Sequence, residues 1–430
     1  MAETVMPILE SHAVQTSPSE QETRPPGRPK ALISTIEPID GGVPTMTLCM
    51  AHILMDLGIE PVFAWYEPWS RQPSLSVPLH GLPSGRQPGL VRRLVYEGHQ
   101  GHGLGAWLPE LEFTHYLPRR HWRSLIDGCR FHLSVTGNPL CAAPYARLGL
   151  PFLAWVATPW EADRNQRVRG FSLPRRLLDR GLNGPVLRRL ERQILRAPEG
   201  RILALSPYTS RALEAIAGRP MAGVLLMPVD RSIFSPAPDS VQPWKVGFAG
   251  RYADPRKNIE LLLDAVQILV AAGRPVQLDL VGEMDTTVLQ MQLQQRGLAD
   301  ITRCLPTLNR HDLAQVMQGF DVFVIPSHQE GLCIAALEAM ACGVPVISTR
   351  CGGPEDYVSP GVNGDLVDSD PESMAAAITS MCIDRAHRQV CGAAAAVWIE
   401  TNASLNAARQ IVREQLAAMD PSFFSASGAA

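Results

Sequence analysis

The chain has 430 residues, more than one hydrophobic core usually organises, so two domains of roughly 200 residues each are expected. With 46% hydrophobic and 19% charged residues and a mean hydropathy near zero, the composition is that of a globular protein and excludes a fibrous or wholly disordered one. A net charge of -3 argues against nucleic acid as the main partner, and no apolar run reaches the roughly 18 residues of a membrane helix.

Residues 1–29 are rich in Pro, Ser, Gln and Glu and read as a disordered leader. They lack the basic start and apolar core of a secretory signal, so a cytoplasmic location is expected. From Lys30 the pattern becomes regular. "ALISTIE" reads as a buried strand, "GG" at Gly41 and Gly42 as a turn, "VPTMTLCMAHILMDLG" as an amphipathic helix closed by Gly58, and "PVFAWY" as a second strand. The segment "YEGHQGHGLGAW", 96–107, carries His99 and His102 among glycines. It follows no clear strand, and is expected to be a mobile loop on the acceptor side. Strand and helix then alternate again through "FHLSVTGN", "PFLAWVAT", "RILALSP" and "MAGVLLMPV", which implies a parallel sheet covered on both faces. Between Arg164 and Arg196 ten arginines are interleaved with leucines and face only Asp179 and Glu191. Two readings stand: an amphipathic patch on anionic lipid at the inner face of the plasma membrane, or a solvated face in an arginine-rich protein.

The first domain thus spans 30–229, and the Pro-, Ser- and Asp-rich stretch 230–243 is the expected linker. A second alternating series, 244–400, begins with "KVGFAG" and includes "DVFVIPS" and "VPVISTR". The predicted fold is α/β, with two doubly wound domains facing each other across a cleft, and the ligand site is sought where strand-to-helix loops meet it. Residues 421–430 read as a disordered tail. Nine cysteines occur without a CxxC pair and are read as reduced thiols; the nine-residue spacing of Cys333, Cys342 and Cys351 fits no metal-ligand pattern. Only Lys30, Lys245 and Lys257 are lysine among 39 basic residues.

"HQEGLCIAALEAMACGVPVIS", 328–348, places Glu330 and Glu338 eight positions apart in a mostly apolar run. Glu330 falls in the loop after a strand, Glu338 about one and a half turns into the following helix, and Gly343 closes it. Between the two acids, the free backbone amides around Leu332, Cys333 and Ile334 favour an anion such as phosphate.

The segment "PSHQEGLCIAALEAMACGVPVI", followed by "GGPEDYV" and "NGDLV", resembles the E-x7-E region of retaining, nucleotide-sugar-dependent glycosyltransferases of the GT-B fold, family four type. "VGFAGRYADPRKNIELLLDA" is similar to that family's phosphate-binding segment, "LLMPVDRSIFSP" to its interdomain crossing, and "IEPIDGGV" to its glycine loop. The resemblance implies that Arg251 and Lys257 bind the donor diphosphate beside Gly250, and that Glu330 and Glu338 hold the sugar and ribose hydroxyls. It further implies that Gly331, Leu332, Cys333 and Ile334 meet the phosphate, that Gly41 and Gly42 let backbone approach the donor, and that a helix over 401–420 packs back on the first domain. Arg251, Lys257 and Glu330 are the expected catalytic residues. No cofactor or metal is expected beyond the nucleoside diphosphate sugar itself, and Asp370 of the triplet Asp368-Ser369-Asp370 reads as a helix cap. The partners implied are this donor and a hydroxyl acceptor of open class, glycolipid, polysaccharide or small molecule.

The chain departs from the family after "PFLAWVAT", where Thr158 and Pro159 stand in place of a histidine; Glu161 and Asp163 are the nearest acids. A nucleotide-sugar epimerase or hydrolase of the same fold, and a non-catalytic sugar-nucleotide-binding subunit, are the alternative readings.

Overall fold

The computed structural model describes residues 28–38, 42–167, 173–237, 244–251, 254–282 and 286–426. Gly41 and residues 1–27, 238–243 and 427–430, which fall in the expected turn, leader, linker and tail, lie outside the described residues.

The first sheet is built from β1 (Lys30–Thr35), β2 (Glu60–Tyr66), β3 (Leu90–Val95), β4 (His99–Leu104), β5 (Phe131–Thr136), β6 (Phe152–Val156), β7 (Gly200–Ala204) and β8 (Gly223–Val224). Their order is β3-β4-β2-β1-β5-β6-β7-β8, parallel throughout except for the β3–β4 pair. Its helices are α1 (Gly42–Asp56), α2 (Arg120–Asp127), α3 (Ala143–Leu148), α4 (Trp160–Arg167), α5 (Leu173–Leu178), α6 (Gly184–Arg196) and α7 (Pro207–Ala217). The central strands are buried, as helices on both faces require, and β5 and β6 are buried at every residue.

The second sheet consists of β9 (Trp244–Ala249), β10 (Val276–Val281), β11 (Thr302–Leu305), β12 (Val322–Ile325), β13 (Val346–Thr349) and β14 (Gly364–Val367), all parallel, in the order β11-β10-β9-β12-β13-β14. Around it lie α8 (Ile259–Ala271), α9 (Thr286–Gln295), α10 (Arg310–Met317), α11 (Ile334–Ala341), α12 (Pro371–Ile383) and α13 (Arg385–Asn402). Two doubly wound units facing each other are the architecture expected from the alternation. The chain closes with α14 (Leu405–Met419) and α15 (Pro421–Ala426), which pack on the first domain. Val412 and Leu416 are buried there, Arg201 Nε donates to Gln415 Oε1 at 2.6 Å, and Arg130 Nε pairs with Asp420 at 2.7 Å.

Three expectations need correction. Residues 421–426 of the expected disordered tail form α15, with Phe423 edge-on to Phe131 at 5.4 Å. The segment 96–107 is not a mobile loop: His99–Leu104 is β4, paired to β2 on one side and β3 on the other. Its apolar signal is missing because Gly101 and Gly103 lie where a Cβ would meet the ring of Trp65 at 2.8 Å and the carboxylate of Glu67 at 2.4 Å. His102 is buried, its Nδ1 3.2 Å from the Phe63 carbonyl. The arginine-rich stretch is not one solvated face either, because Arg164 is buried and ion-paired to Glu112 and Asp179.

Candidate functional site

In the second sheet the strand order reverses between β9, which continues to β10, and β12, which continues to β13. Loops leaving the carboxyl ends of the two strands diverge there and open a crevice. Gly250 opens the loop after β9 and donates to the Val281 carbonyl at 2.9 Å. The loop then tightens around Asp254, whose carboxylate accepts from the Arg256 amide at 3.0 Å and guanidinium at 2.7 Å. Arg251, largely exposed, stands 3.6 Å from the same carboxylate. A short turn, Pro255–Lys257, delivers Lys257 just before α8 begins.

Across the crevice, Lys257 Nζ donates to Glu330 Oε1 at 2.7 Å, although the residues are 73 positions apart. Ser327 Oγ donates to the same oxygen at 2.6 Å, and Glu330 is only 9% exposed. Burial pushes the Lys257 ammonium down, but Cys333 and the Glu330 carboxylate act the other way, and its pKa ends above the ordinary lysine value. Backbone bonds fix the two loops to each other and to the next strand: His328 N donates to Arg256 O at 2.8 Å, Glu330 N to Cys351 O at 2.8 Å, and Gly353 N to Glu330 O at 2.9 Å. No side chain fits at Gly353, where a Cβ would come within 2.3 Å of the Gly331 carbonyl oxygen.

Beyond Glu330 the chain turns into α11 through Cys333, which takes the left-handed conformation at φ 65°. Among the described residues, the amides of Gly331, Leu332 and Cys333 donate no backbone or side-chain hydrogen bond. They form a patch of unsatisfied donors at a helix start, suited to an anion. Tyr357 Oη steadies the turn by donating to the Leu332 carbonyl at 2.7 Å. The carboxylate of Glu338, further along α11, has no hydrogen-bond or ion-pair partner among the described residues. Burial pushes its carboxyl up to about 7, with Arg310 acting in the opposite direction.

The first domain approaches this crevice from the other side. A Cβ on Gly331 would lie 3.5 Å from the Ala157 carbonyl, at the end of β6. Tyr208 N and Arg211, at the start of α7, bond the Asp356 carboxylate at 2.6 and 2.8 Å. Gly42 begins α1, and a Cβ there would meet nothing within 4 Å. The geometry therefore gathers Lys257, Glu330, Gly331, Leu332, Cys333 and Ile334, with Gly250 and Arg251 on the adjoining loop. Glu161 is exposed and 3.4 Å from Arg188; Asp163 lies on α4 with its side chain outside the described part. Sequence reasoning missed Ser327, Asp254 and Arg256. Ser327 stood in view three positions before Glu330, but nothing local said that it would turn toward the carboxylate.

Residues 231–398 match the family model described as glycosyl transferases group 1. D-inositol 3-phosphate glycosyltransferase of Geodermatophilus obscurus is 33% identical over 256 residues, covering 53% of this chain and 56% of that protein. MMP alpha-(1->4)-mannosyltransferase of Mycolicibacterium hassiacum is 29% identical over 50% of this chain and 52% of its own length. The chain thus spans about half the length of these curated relatives. Among solved structures, sucrose-phosphate synthase from Thermosynechococcus elongatus superposes with a TM-score of 0.67 at 18% identity, over 91% of this chain and 100% of that one. Anabaena HepE in complex with UDP gives 0.68 at 16% identity, over 90% and 100%. These likenesses establish the GT-B fold, and the glycosyltransferase resemblance read from the second half of the sequence is borne out.

Proposed function

We propose that this GT-B protein, whose second half matches the group 1 glycosyl transferases, is a retaining hexosyltransferase. In this reading it moves a hexose from a nucleoside diphosphate donor to an acceptor hydroxyl. The observation that carries the reading is the Lys257–Glu330 contact of 2.7 Å beside the unbonded amides of Leu332 and Cys333. As the bond to the diphosphate breaks, negative charge builds on the leaving group; Lys257, Arg251 and the start of α11 neutralise it. Glu330 accepts from hydroxyls of the transferred sugar and Glu338 from those of the ribose, each carboxylate offering two acceptor oxygens. The diphosphate leaves from the face on which the acceptor hydroxyl arrives, so configuration is retained without a covalent nucleophile.

Side-chain cations and the helix start do the work of a divalent ion in this mechanism. Asp370 is engaged as the cap of α12, accepting from Ser373 N at 2.8 Å, which favours metal independence. The relatives named for inositol phosphate and mannosyl transfer, and the fold neighbour holding UDP, support a nucleotide-sugar donor and a hydroxyl acceptor. Leu173 and Leu177, 73% and 72% exposed beside Arg175 and Arg176, favour a peripheral contact with anionic lipid at the inner face of the plasma membrane. Among the described residues no helix is long and apolar enough to cross a bilayer.

Incubation with UDP-, GDP-, ADP- and dTDP-sugars, with and without chelator, tests the assignment: chelator-insensitive nucleotide release is expected. Sugar isomerisation without release would favour an epimerase, and binding without release a silent subunit. Lys257→Ala should lower kcat by about 10²–10³-fold, far more than the stability lost with the Glu330 ion pair explains, since it removes charge stabilisation of the leaving group. Intact turnover in that variant would remove the phosphate role from Lys257.

A further inference from the structure

The first sheet has its own switch point, between β1 and β5, and a cavity of 490 Å³ opens at the carboxyl ends of these strands, where Thr35, Ile36, Glu37 and Cys141 line it. From its wall we infer that the cavity binds an uncharged polyhydroxylated ring, a sugar or cyclitol, and discriminates against phosphate esters of such rings. That the ring is the acceptor rests on the transferase reading; the chemistry of the cavity does not.

Two features carry the inference. The first is charge. Glu37, Glu110, Glu112 and Asp179 line the cavity, against Arg164 and Arg175. Arg164 is already engaged by both Glu112 and Asp179, and Arg71, outside the lining, pairs with Glu37 at 2.7 Å. Counting Arg71, four carboxylates face three guanidinium groups among the described residues, and burial pushes His115 down to about 4, so its ring adds no charge near neutrality. A phosphate would meet described residues of net negative sign, whereas hydroxyl groups would find carboxylate acceptors.

The second feature is shape. Tyr66 and His115 are stacked 3.6 Å apart at 8° and line the cavity together. His115 Nε2 is held 3.0 Å from the Pro109 carbonyl, so the flat pair is fixed in place. Flat apolar surface beside convergent acceptors is the pairing that a ring with one C–H face and several hydroxyls requires. Glu110, exposed at the rim, accepts only from the Leu79 amide at 3.1 Å among the described residues and keeps acceptor capacity for a ligand.

Saturation-transfer NMR and calorimetry on the full chain, without nucleotide, test this directly. The probes are methyl α-glucoside, methyl α-mannoside and myo-inositol, each against its monophosphate. At least one neutral probe should bind about tenfold more tightly than its monophosphate, and Glu37→Gln and Glu110→Gln should each weaken it about tenfold, as loss of a charged acceptor implies. Glu110→Lys, at an exposed position, should invert the preference, which a merely structural role for Glu110 would not do. Lys257→Ala should leave all these affinities unchanged. Tighter binding of a monophosphate, no binding of any neutral probe, or indifference to the glutamine variants would overturn the inference. Polyol binding with no nucleotide-sugar turnover would instead uphold the cavity's chemistry and refute the transferase reading.

Discussion

Burial lifts the carboxyls of Glu191 and Glu338 to about 7, each with a measurable consequence. Glu191 Oε1 accepts from Trp160 N at 2.7 Å and so anchors the start of α4; its carboxyl is almost wholly enclosed. Because its folded pKa exceeds the ordinary 4.5, the folded chain holds a proton that the unfolded chain releases as pH rises from about 4.5 to 7. Its stabilising contribution is complete below that window and gone above it. Glu191→Gln keeps the acceptor and removes the ionisation, so thermal melts should lose most of their decline across pH 4.5–7. At pH 8 the variant should be the more stable, by at most on the order of 3 kcal/mol. For Glu338 the readout is affinity. If the proposed ribose contact is made by the ionised carboxylate, the affinity for UDP or GDP should fall about tenfold per pH unit below 7. Glu338→Gln should flatten that slope; a slope that persists in the variant assigns it to another group.

At the scale of elements, the loop joining β12 to α11 is the part that cannot change shape. Its backbone is bonded to the Arg256 turn on one side and to Cys351 and Gly353 on the other. Gly353→Ala would set a methyl group against backbone at 2.3 Å, with no flexible side chain to give way. We expect a loss of about 1–3 kcal/mol in stability, and a fall in nucleotide affinity larger than that loss explains, since the displaced carbonyl belongs to Gly331. Calorimetry of folding and of UDP or GDP binding on the same sample separates the two. Elements of this kind were legible where local pattern dominates: Gly343 follows the end of α11 at φ 77°, and Asp370 caps α12. β4 was not, because its glycines answer to Trp65 and Glu67 on a neighbouring strand and leave no period of their own.

Across the whole molecule, the C-terminal helices tie the end of the chain to the first domain. Arg409 pairs with Asp56, Arg130 with Asp420, and Phe423 packs edge-on to Phe131 at 5.4 Å. Truncation after residue 403 would expose Val412's and Leu416's partners on the first domain and lower its melting temperature, while the second domain, whose sheet α14 does not complete, should melt nearly unchanged. Two resolved calorimetric transitions, of which only one shifts, are the expected result; a parallel fall in both would mean that the domains unfold as one unit.

The sequence by itself determined the alternation of strands and helices in two successive series, and the spacing that sets Glu330 before a helix and Glu338 within it. Each of these is local: periodicity and caps act over a few residues. Strand order was decided only in three dimensions. β12 lies beside β9, not beside β11, which precedes it in the chain, and that adjacency alone brings Lys257 to Glu330 across 73 positions. The same holds for the cavity of the first sheet, where residues from the ends of β1, β2 and β5 meet those of α4 and α5. Side-chain pattern tells a segment whether to be a strand and which faces to bury, but neighbouring parallel strands are chosen by the packing of the helices that connect them, which no short window of sequence contains.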